Sequence, residues 1–381
     1  MTTRINLQIE SSILKHLTAR GVPISTVLQE ALENITSSDS LDEQKHPLPK
    51  REDVIKRLQR EYTTDNVVIV LGAGVSFDYG LPSWNMLLQA LLADNFKGAD
   101  VNREQSLLFA EVYNRTFQPS PLVAARSLSQ HYKSRPAGFE TAVRDQLYQS
   151  IKTDYTSHFM QELVQLISSP GSSPRLNSVI SYNFDDILEQ ELTKASIEIR
   201  FNSIFTIGQN PDPRVFPIYH VHGYIPRTGK LTKNNLVTLG EDIYHQQYTD
   251  IYNWANLVQL AKYKDHPCVF VGTSLTDPNQ RRLLDIAHRQ RGSKGATHFI
   301  IRARYSDTDI QKRLQKFFDA NDDVFTKKVL HNISLKKMVD SMSKYLHRSE
   351  ELDALSLGIE TIWIDDHSET VAILKNMRST S

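Results

Sequence analysis

The sequence predicts an α/β protein built around a doubly wound, mostly parallel β-sheet. Five continuous apolar runs are typical of strands covered on both faces, because a strand with one wet face alternates apolar and polar residues. Helical patterns separate these runs, and strands that alternate with helices favour a parallel sheet. The runs occupy residues 66–71, 179–182, 268–271, 298–301 and 360–364. The expected architecture is therefore a Rossmann-like sheet with helices on both sides.

The segment between the first and second runs is too long for a simple crossover. Residues 84–175 are mostly helical in pattern and contain few turn signals. We therefore expect a helical subdomain that is inserted after the first strand and lies beside the sheet.

The N-terminal residues differ in pattern from the rest of the chain. Residues 4–9 alternate polar and apolar side chains, which predicts a short strand, and two short helical stretches follow. This strand-helix-helix element resembles the ribbon-helix-helix type of dimerisation element. The alternative is an amphipathic arm that packs on its own domain or on a neighbouring subunit. In either case we expect an oligomerisation element at 1–36, a linker at 37–52 and the main domain at 53–381.

Composition excludes several classes of function. The 381 residues carry 44 basic and 44 acidic side chains, so a nucleic-acid contact needs a local basic patch, for which residues 288–294 are the candidate. The single cysteine, Cys268, excludes a disulfide framework and a multi-cysteine zinc site. No apolar run approaches the ~18 residues of a membrane span, and the first residues open no secretory signal. We therefore expect a soluble cytoplasmic protein without a bound metal.

A glycine-rich string at residues 72–84 follows the first predicted strand. Two glycines at such a turn let the backbone approach a pyrophosphate, whose charge then lies at the N-terminus of the next helix. The alternative is a simple tight turn between strand and helix. A dehydrogenase fingerprint requires a third glycine where this chain has Phe77, so hydride transfer is disfavoured. The candidate dinucleotide-binding residues are Gly72, Ala73, Gly74, Ser76, Pro82, Ser83 and Trp84.

Polar side chains also follow the second run and occur in a later His-x-His-Gly string. Asn183 can hold a water or a ribose hydroxyl and Asp185 can orient it, although Asp185 or Asp186 can equally be the N-cap of the next helix. In a strand, His220 and His222 would point to the same face, but no clear third ligand is near, so metal binding is disfavoured. His222, beside a glycine, is instead the candidate general base.

A fourth motif follows the third run. Gly272, Thr273 and Ser274 can hydrogen-bond a phosphate or a ribose, and Asp277 is a candidate for the same role. The alternative is that Asp277 only caps a helix that begins at Pro278. Because the carboxyl ends of parallel strands meet at one edge of the sheet, we expect the four motifs to lie at the same edge.

In this order the four motifs resemble the NAD-binding domain of the sirtuins. The similar strings are Gly-Ala-Gly-x-Ser, Gly-Leu-Pro, Ser-Tyr-Asn-Phe-Asp, His-Gly and Gly-Thr-Ser-Leu. They stand at 72–76, 80–82, 181–185, 222–223 and 272–275. Residues 239–244 are similar to the sirtuin-like branch found in prokaryotic antiviral defence proteins. The resemblance implies that NAD binds at this edge of the sheet.

The chain also departs from the sirtuins that remove acyl groups from proteins. It cannot build their four-cysteine zinc module, Tyr182 replaces their glutamine, and Ser83–Asn85 replaces their Asp-Phe-Arg. An acetyl-lysine channel is therefore not expected, and water is the natural acceptor. The resemblance then implies an NAD+ hydrolase that cleaves the nicotinamide–ribose bond, with NAD as its substrate and without zinc. Depletion of NAD would make it an antiphage effector.

The resemblance also implies a role for each candidate residue. The turn at 72–76 would anchor the pyrophosphate, Asn183 would position water or the ribose, and Asp185 would support that network. His222 would be the catalytic base, and Trp84, at the place of a shielding phenylalanine, would close over the nicotinamide.

Other functions stay open at this point. A non-catalytic module that binds NAD or ADP-ribose would carry the same motifs, and a nuclease subunit of a defence complex would use the basic run; a deacylase is less favoured. Similar stand-alone proteins of the defence branch assemble with a HerA-like hexameric ATPase. We therefore expect a homo-oligomer regulated by such an ATPase, with nucleic acid contacted through the partner or a local basic patch, and no membrane association.

Overall fold

The sheet contains seven parallel strands. The computed structural model describes residues 11–379, except for residues 20, 22, 46, 65, 97–101, 118, 137, 169–175, 196–198, 213, 293–296, 323 and 332–333. Within these residues the strands are β1 (Val67–Leu71), β2 (Leu176–Ser181), β3 (Phe201–Ile204), β4 (Phe216–His220), β5 (Cys268–Val271), β6 (His298–Ala303) and β7 (Ile359–Ile364). Their order is β3-β4-β2-β1-β5-β6-β7, and each neighbouring pair is parallel. The predicted doubly wound, Rossmann-like sheet is confirmed.

All five apolar runs of the sequence form strands, and two further strands were not predicted. The additional strands, β3 and β4, lie together at one side of the sheet. Only β3 is an edge strand, which needs less apolar covering, and Asn202 and Ser203 there interrupt the pattern on which strand prediction depends. In β4, which lies between β3 and β2, Pro217 interrupts the pattern. The sequence therefore identifies the centre and the β7 side of the sheet better than the β3 side.

The central strand, β1, shows why its sequence is apolar without interruption. Val67, Ile69 and Leu71 pack into the core on one side of the sheet. Val68 and Val70 pack into a second core on the other side. Because successive side chains of a strand point to opposite faces, helices on both faces require an apolar residue at every position.

Sixteen α-helices lie within the described residues. They are α1 (Ser11–Ala19), α2 (Ile24–Lys45), α3 (Arg51–Thr64), α4 (Trp84–Asn95), α5 (Arg103–Phe117), α6 (Pro121–Lys133), α7 (Gly138–Leu147), α8 (His158–Ser168), α9 (Ile187–Lys194), α10 (Glu241–Thr249), α11 (Trp254–Asp265), α12 (Pro278–Arg291), α13 (Asp307–Asp319), α14 (Lys327–His331), α15 (Leu335–Ser356) and α16 (Ser368–Ser379). In the part of the chain that the structure describes, none of them is long and apolar enough to cross a lipid bilayer.

Helices α4 to α8 occupy the long segment between β1 and β2. Their buried side chains, such as Leu91, Leu128, Val143 and Leu163, belong to the same apolar core as Ile69 of the central strand. Four of the five inserted helices, α4, α6, α7 and α8, therefore share the apolar core of the sheet.

The N-terminal helices extend further than the sequence indicates. The predicted strand at 4–9 lies outside the described residues. Helix α2 ends at Lys45, so the first nine residues of the segment expected to be a linker, 37–52, are helical. Polar composition suggested a linker, but Glu, Gln and Lys are also good helix formers. Ile24, Leu28 and Leu32 of α2 pack against the cluster formed by α13 and α15.

A core substitution in β1 tests the central position of this strand. We expect Ile69→Ala to lower the free energy of unfolding by about 2–5 kcal/mol, because it leaves a cavity in a fully buried strand. Ile207→Ala is the matched control, since Ile207 is 77% exposed and its truncation should change stability by less than about 0.5 kcal/mol. Urea denaturation measures both values. Equal stability losses in the two variants would contradict this assignment of the core.

Candidate functional site

The turns that follow β1 and β5 are in direct backbone contact. Gly72 N donates to Val271 O at 3.0 Å, and Gly74 N donates to Gly272 O at 2.9 Å. A Cβ atom on Gly72 would lie 2.5 Å from Gly272 O, and one on Gly272 would lie 2.8 Å from Val75 N. Gly272 also has a φ of 68°, which favours glycine. The glycines are therefore required where the two turns meet.

The segment after the first turn differs from the predicted α-helix. It is a 3-10 helix of seven residues, Ala73–Tyr79, which ends at Gly80 with a φ of 84°. The N–H groups of Gly72, Gly74 and Val75 donate to backbone carbonyls, so they are not available to a phosphate. The helix after this turn is a 3-10 helix, and the position of a pyrophosphate at this turn stays a prediction. A phosphate site at this turn would have to use its remaining groups, such as the exposed Ala73.

The next helix places three of the predicted residues. Ser83 is the N-cap of α4, and its side chain accepts a hydrogen bond from Met86 N at 3.3 Å. Trp84 is half-buried and packs against the core that contains Ile69. Pro82 is also half-buried. Capping and core packing therefore account for the contacts of Ser83 and Trp84, and their contact with a dinucleotide stays a prediction.

Asn183, Ser76 and Asp185 form a buried chain of hydrogen bonds. Asn183 Nδ2 donates to Ser76 Oγ at 3.3 Å and to Gly72 O at 3.1 Å. Ser76 Oγ donates to Asp185 Oδ2 at 2.9 Å. Asn183 Oδ1 is buried and has no hydrogen-bond partner among the described residues. The structure thus brings together the polar residues of the first and second motifs, with one acceptor atom left unpaired.

Asp185 has two functions that the sequence could not separate. Its Oδ1 accepts from Ile187 N at 3.2 Å, at the start of α9, while its Oδ2 holds Ser76. Asp186 occupies the N-cap position but accepts from Tyr148 Oη at 2.8 Å. Burial raises the pKa of Asp185 to about 6, against the opposing effect of its hydrogen bonds.

The two histidines have separate environments. Strand β4 ends at His220, so His222 lies beyond the strand and the expected shared face is absent. His220 bonds to Glu189, whereas His222 Nε2 lies 3.7 Å from Asp277 Oδ2. His222 Nε2 is buried and has no hydrogen-bond partner in the described part of the chain. Burial lowers the pKa of His222, against the nearby charge of Asp277, so the imidazole is neutral at pH 7.

A close backbone contact holds His222 in place. Gly223 has a φ of 109°, and a Cβ atom there would lie 1.9 Å from Leu236 O. Because Gly223 has no side chain, the segment that contains Leu236 can approach closely, and Thr238 N donates to His222 O at 2.6 Å. The glycine of the His-Gly pair therefore admits the neighbouring segment that fixes the histidine.

Asp277 is a helix cap and also a neighbour of the histidine. Its Oδ1 accepts from Gln280 N at 2.7 Å, so the helix-cap alternative is correct for this oxygen. Its Oδ2 accepts from Tyr244 Oη at 2.6 Å and faces His222. Sequence reasoning missed Tyr244, although it ends the string at 239–244 that resembles the defence branch. Of the predicted phosphate-binding residues after β5, Ser274 is exposed and Thr273 is half-buried.

Strand register places the four motifs at one edge. Ser181 pairs with His220 and with Leu71, so Asn183, His222 and Gly72 follow neighbouring strands at the same level. The ring of Tyr182 contacts His222 edge to face, with centroids 4.6 Å apart. The carboxyl ends of β4, β2, β1 and β5 therefore form one candidate site, as open α/β sheets favour.

Two arginines of the basic run at 288–294 make contacts within the described residues. Arg289 pairs with Asp285 at 2.7 Å, and Arg291 donates to the backbone oxygens of Lys264 and His266. These contacts lie within α12 and between its C-terminal end and the end of α11, just before β5, while residues 293–296 are outside the described ranges. No group of three or more potential metal ligands occurs in the ranges that the structure describes.

Comparison with known protein families gives a match over part of the chain. A model of the SIR2-like domain matches residues 177–322, which include Asn183, His222 and Gly272 but not the turn at Gly72. The seven-stranded parallel sheet flanked by helices is consistent with the Rossmann-like α/β fold of SIR2-like domains.

Comparison with curated proteins adds a particular relative. The chain is similar to the NAD(+) hydrolase ThsA of Enterococcus faecium, with 23% identity over 329 residues. The alignment covers 85% of this chain, and the chain spans 58% of the length of the relative.

Alanine at Gly272 tests the contact between the glycine turns. We expect Gly272→Ala to destabilise the protein well beyond the about 1–2 kcal/mol that a left-handed alanine costs, because its Cβ also meets the backbone of Val75. Gly208→Ala is the matched control, since Gly208 has a φ of 83° but open space around it. Urea denaturation gives both free energies of unfolding. Similar losses in the two variants would show that the contact is unimportant.

The raised pKa of Asp185 predicts a pH dependence of stability. The folded protein favours the protonated carboxyl, so its contribution is complete below about pH 4 and is lost as the pH rises through about 6. We expect Asp185→Asn to remove a decline of roughly 3 kcal/mol in the free energy of unfolding between pH 4 and 7. Denaturation of both proteins across this range measures the difference. Parallel curves would contradict the assignment, and the exposed Asp154→Asn variant is the control.

Proposed function

We propose that the protein is an NAD+ hydrolase that releases nicotinamide and ADP-ribose. The observation that carries this proposal is the pair of buried polar atoms, Asn183 Oδ1 and His222 Nε2, which have no hydrogen-bond partner among the described residues at the edge where the glycine turns lie. Buried polar atoms are rarely left unpaired unless a ligand or water completes them. The NAD(+) hydrolase activity named for the similar enterococcal protein supports the same reaction.

In the proposed complex, NAD lies along the carboxyl edge of the sheet. Its phosphates are placed at the turns after β1 and β5, where Ala73 and Ser274 are exposed and Thr273 is half-buried. Its nicotinamide end extends toward Asn183 and His222. Binding energy from the phosphate and adenosine half then fixes the scissile bond against the catalytic groups.

Cleavage of this bond requires little acid catalysis. The electron pair of the C–N bond moves to the nicotinamide nitrogen, so the leaving group departs as a neutral molecule. The ribose carbon acquires oxocarbenium character, as in other glycosidic cleavages. Asp185, which is ionised above about pH 6, supplies negative charge near this site through the network of Ser76 and Asn183.

Capture of the sugar cation by water requires a base. Asn183 Oδ1 accepts a hydrogen bond from the water or from a ribose hydroxyl. The neutral His222 takes the proton of the water as the new C–O bond forms, and Asp277, 3.7 Å away, stabilises the resulting imidazolium. The balanced reaction converts NAD+ and water to nicotinamide, ADP-ribose and a proton.

The proposed biological role is NAD depletion during antiphage defence in the cytoplasm. The resemblance of residues 239–244 to the defence branch of sirtuin-like proteins supports this role. Such an effector must be silent before infection, and we propose that a homo-oligomer of the chain is regulated by a HerA-like ATPase. Chromatography of NAD incubated with the purified chain, alone and with a co-encoded ATPase, tests both parts.

Further assays of the same purified protein distinguish the other candidate functions. Binding of NAD or ADP-ribose without turnover, even with the ATPase, would identify a non-catalytic module. Formation of O-acetyl-ADP-ribose that depends on an acetyl-peptide would identify a deacylase. Cleavage of DNA that persists in a His222→Ala variant would identify a nuclease subunit.

Removal of either unpaired acceptor tests the mechanism. We expect His222→Ala and Asn183→Ala to reduce NAD hydrolysis by about 10²–10⁴-fold, because a positioned base or a water-orienting group is lost. Circular dichroism should show that both variants are folded. His16→Ala, at an exposed site in α1, is the histidine control and should retain full activity. Turnover close to wild type in both site variants would refute the assigned roles.

A further inference from the structure

A buried ion pair lies directly beside Asn183. His220 is the last residue of β4, and Glu189 lies in α9; their relative exposures are 1% and 6%. His220 Nε2 is 2.7 Å from Glu189 Oε1. Ser203 Oγ donates to the same carboxylate oxygen at 2.7 Å. The proposed reaction assigns no role to either member of this pair.

The pair is charged, because each member stabilises the charge of the other. Burial alone would lower the pKa of His220, but the charge and hydrogen bond of Glu189 raise it, with a smaller contribution from Asp185. Burial alone would raise the pKa of Glu189, but His220 lowers it. The ring of Tyr224 also packs on His220, with centroids 4.4 Å apart. An ionised carboxylate cannot donate, so His220 Nε2 carries a proton.

The second ring nitrogen of His220 reaches the candidate site. His220 Nδ1 lies 3.3 Å from the main-chain oxygen of Asn183. A doubly protonated imidazole donates at both nitrogens, so one proton goes to Glu189 and the other to Asn183. The side-chain amide of Asn183 is held separately by Gly72 and Ser76. The backbone and the side chain of Asn183 are thus held by separate contacts, the backbone by His220 and the side chain by Gly72 and Ser76.

We infer that His220 and Glu189 are positioning residues, which hold Asn183 so that its Oδ1 is oriented for the reaction. Neither side chain contacts the substrate in this proposal, which rests on the proposed hydrolysis of NAD. An apolar pair of the same size can match a buried ion pair in stability, but it offers no donor to Asn183. Ser181 Oγ also contacts the backbone of Asn183: it accepts from Asn183 N at 3.2 Å and lies 3.5 Å from Asn183 O, a longer contact to this oxygen than that of the imidazole.

Two isosteric variants separate positioning from stability. The Nδ2 of His220→Asn takes the place of imidazole Nδ1, so this variant keeps the donor to Asn183 and loses the bond to Glu189. The Nε2 of His220→Gln takes the place of imidazole Nε2, so this variant keeps the bond to Glu189 and loses the donor to Asn183. Melting temperature reports stability, and kcat and KM for NAD report function.

A positioning role predicts that function follows the Asn183 contact. We expect His220→Gln to lower kcat by about 10²-fold with KM nearly unchanged, because a small misplacement at the reacting centre costs this much while the remote half of NAD still binds. We expect His220→Asn to recover most of this loss, although it is the less stable variant. If the His220→Asn protein does not fold, the double variant His220→Asn with Glu189→Gln is used in its place, because it also removes the unpaired charge of Glu189. Activity that follows melting temperature, or equal kcat in both variants, would overturn the proposal.

A structural measurement keeps the two proposals distinguishable. If the wild-type protein does not hydrolyse NAD, the proposed function fails, and the positioning proposal is then decided by crystal structures. We expect the Asn183 carboxamide to be displaced in His220→Gln and to keep its place in His220→Asn. An unchanged carboxamide in His220→Gln would overturn the positioning role, whatever the activity of the wild type.

Discussion

The candidate site depends on the backbone contact between the two glycine turns. Gly72 directly follows β1 and connects the ends of three strands. Its N–H donates to Val271 O of β5, and its carbonyl oxygen accepts a hydrogen bond from the side chain of Asn183, which follows β2. Any side chain at Gly72 or Gly272 would occupy the space of the opposite backbone. The contact therefore sets the distance between the strand ends, and with it the position of Asn183.

Burial then determines the chemistry of the groups at this edge. The same loss of solvent that keeps His222 neutral raises the pKa of Asp185 to about 6. At pH 7 the site thus combines a neutral base with a carboxylate that is mostly ionised. His220 is the exception, because Glu189 compensates its burial and keeps it charged. The pKa values of two histidines that are two residues apart are therefore shifted in opposite directions.

The sequence predicts those features that depend on local pattern. Strands covered on both faces appear as continuous apolar runs, whereas β3 and β4 contain polar residues and a proline and were missed. The order of the motifs predicts their common edge. Pattern cannot separate two functions of one side chain: Asp277 caps α12 with one oxygen and faces His222 with the other. Nor can it reveal the contact of Asp277 with Tyr244, which lies 33 residues away in the chain.

The unpaired acceptors explain why this edge of the sheet is suited to a ligand. An unsatisfied buried polar group costs about 1–3 kcal/mol, so Asn183 Oδ1 and His222 Nε2 lower the stability of the protein that carries them. The surrounding contacts prevent the relaxation that would satisfy these atoms internally. Asn183 is held by Gly72 and Ser76, and His222 by the segment that Gly223 admits. One donor to each atom recovers this cost, and in the proposed complex a ribose hydroxyl and the attacking water are these donors.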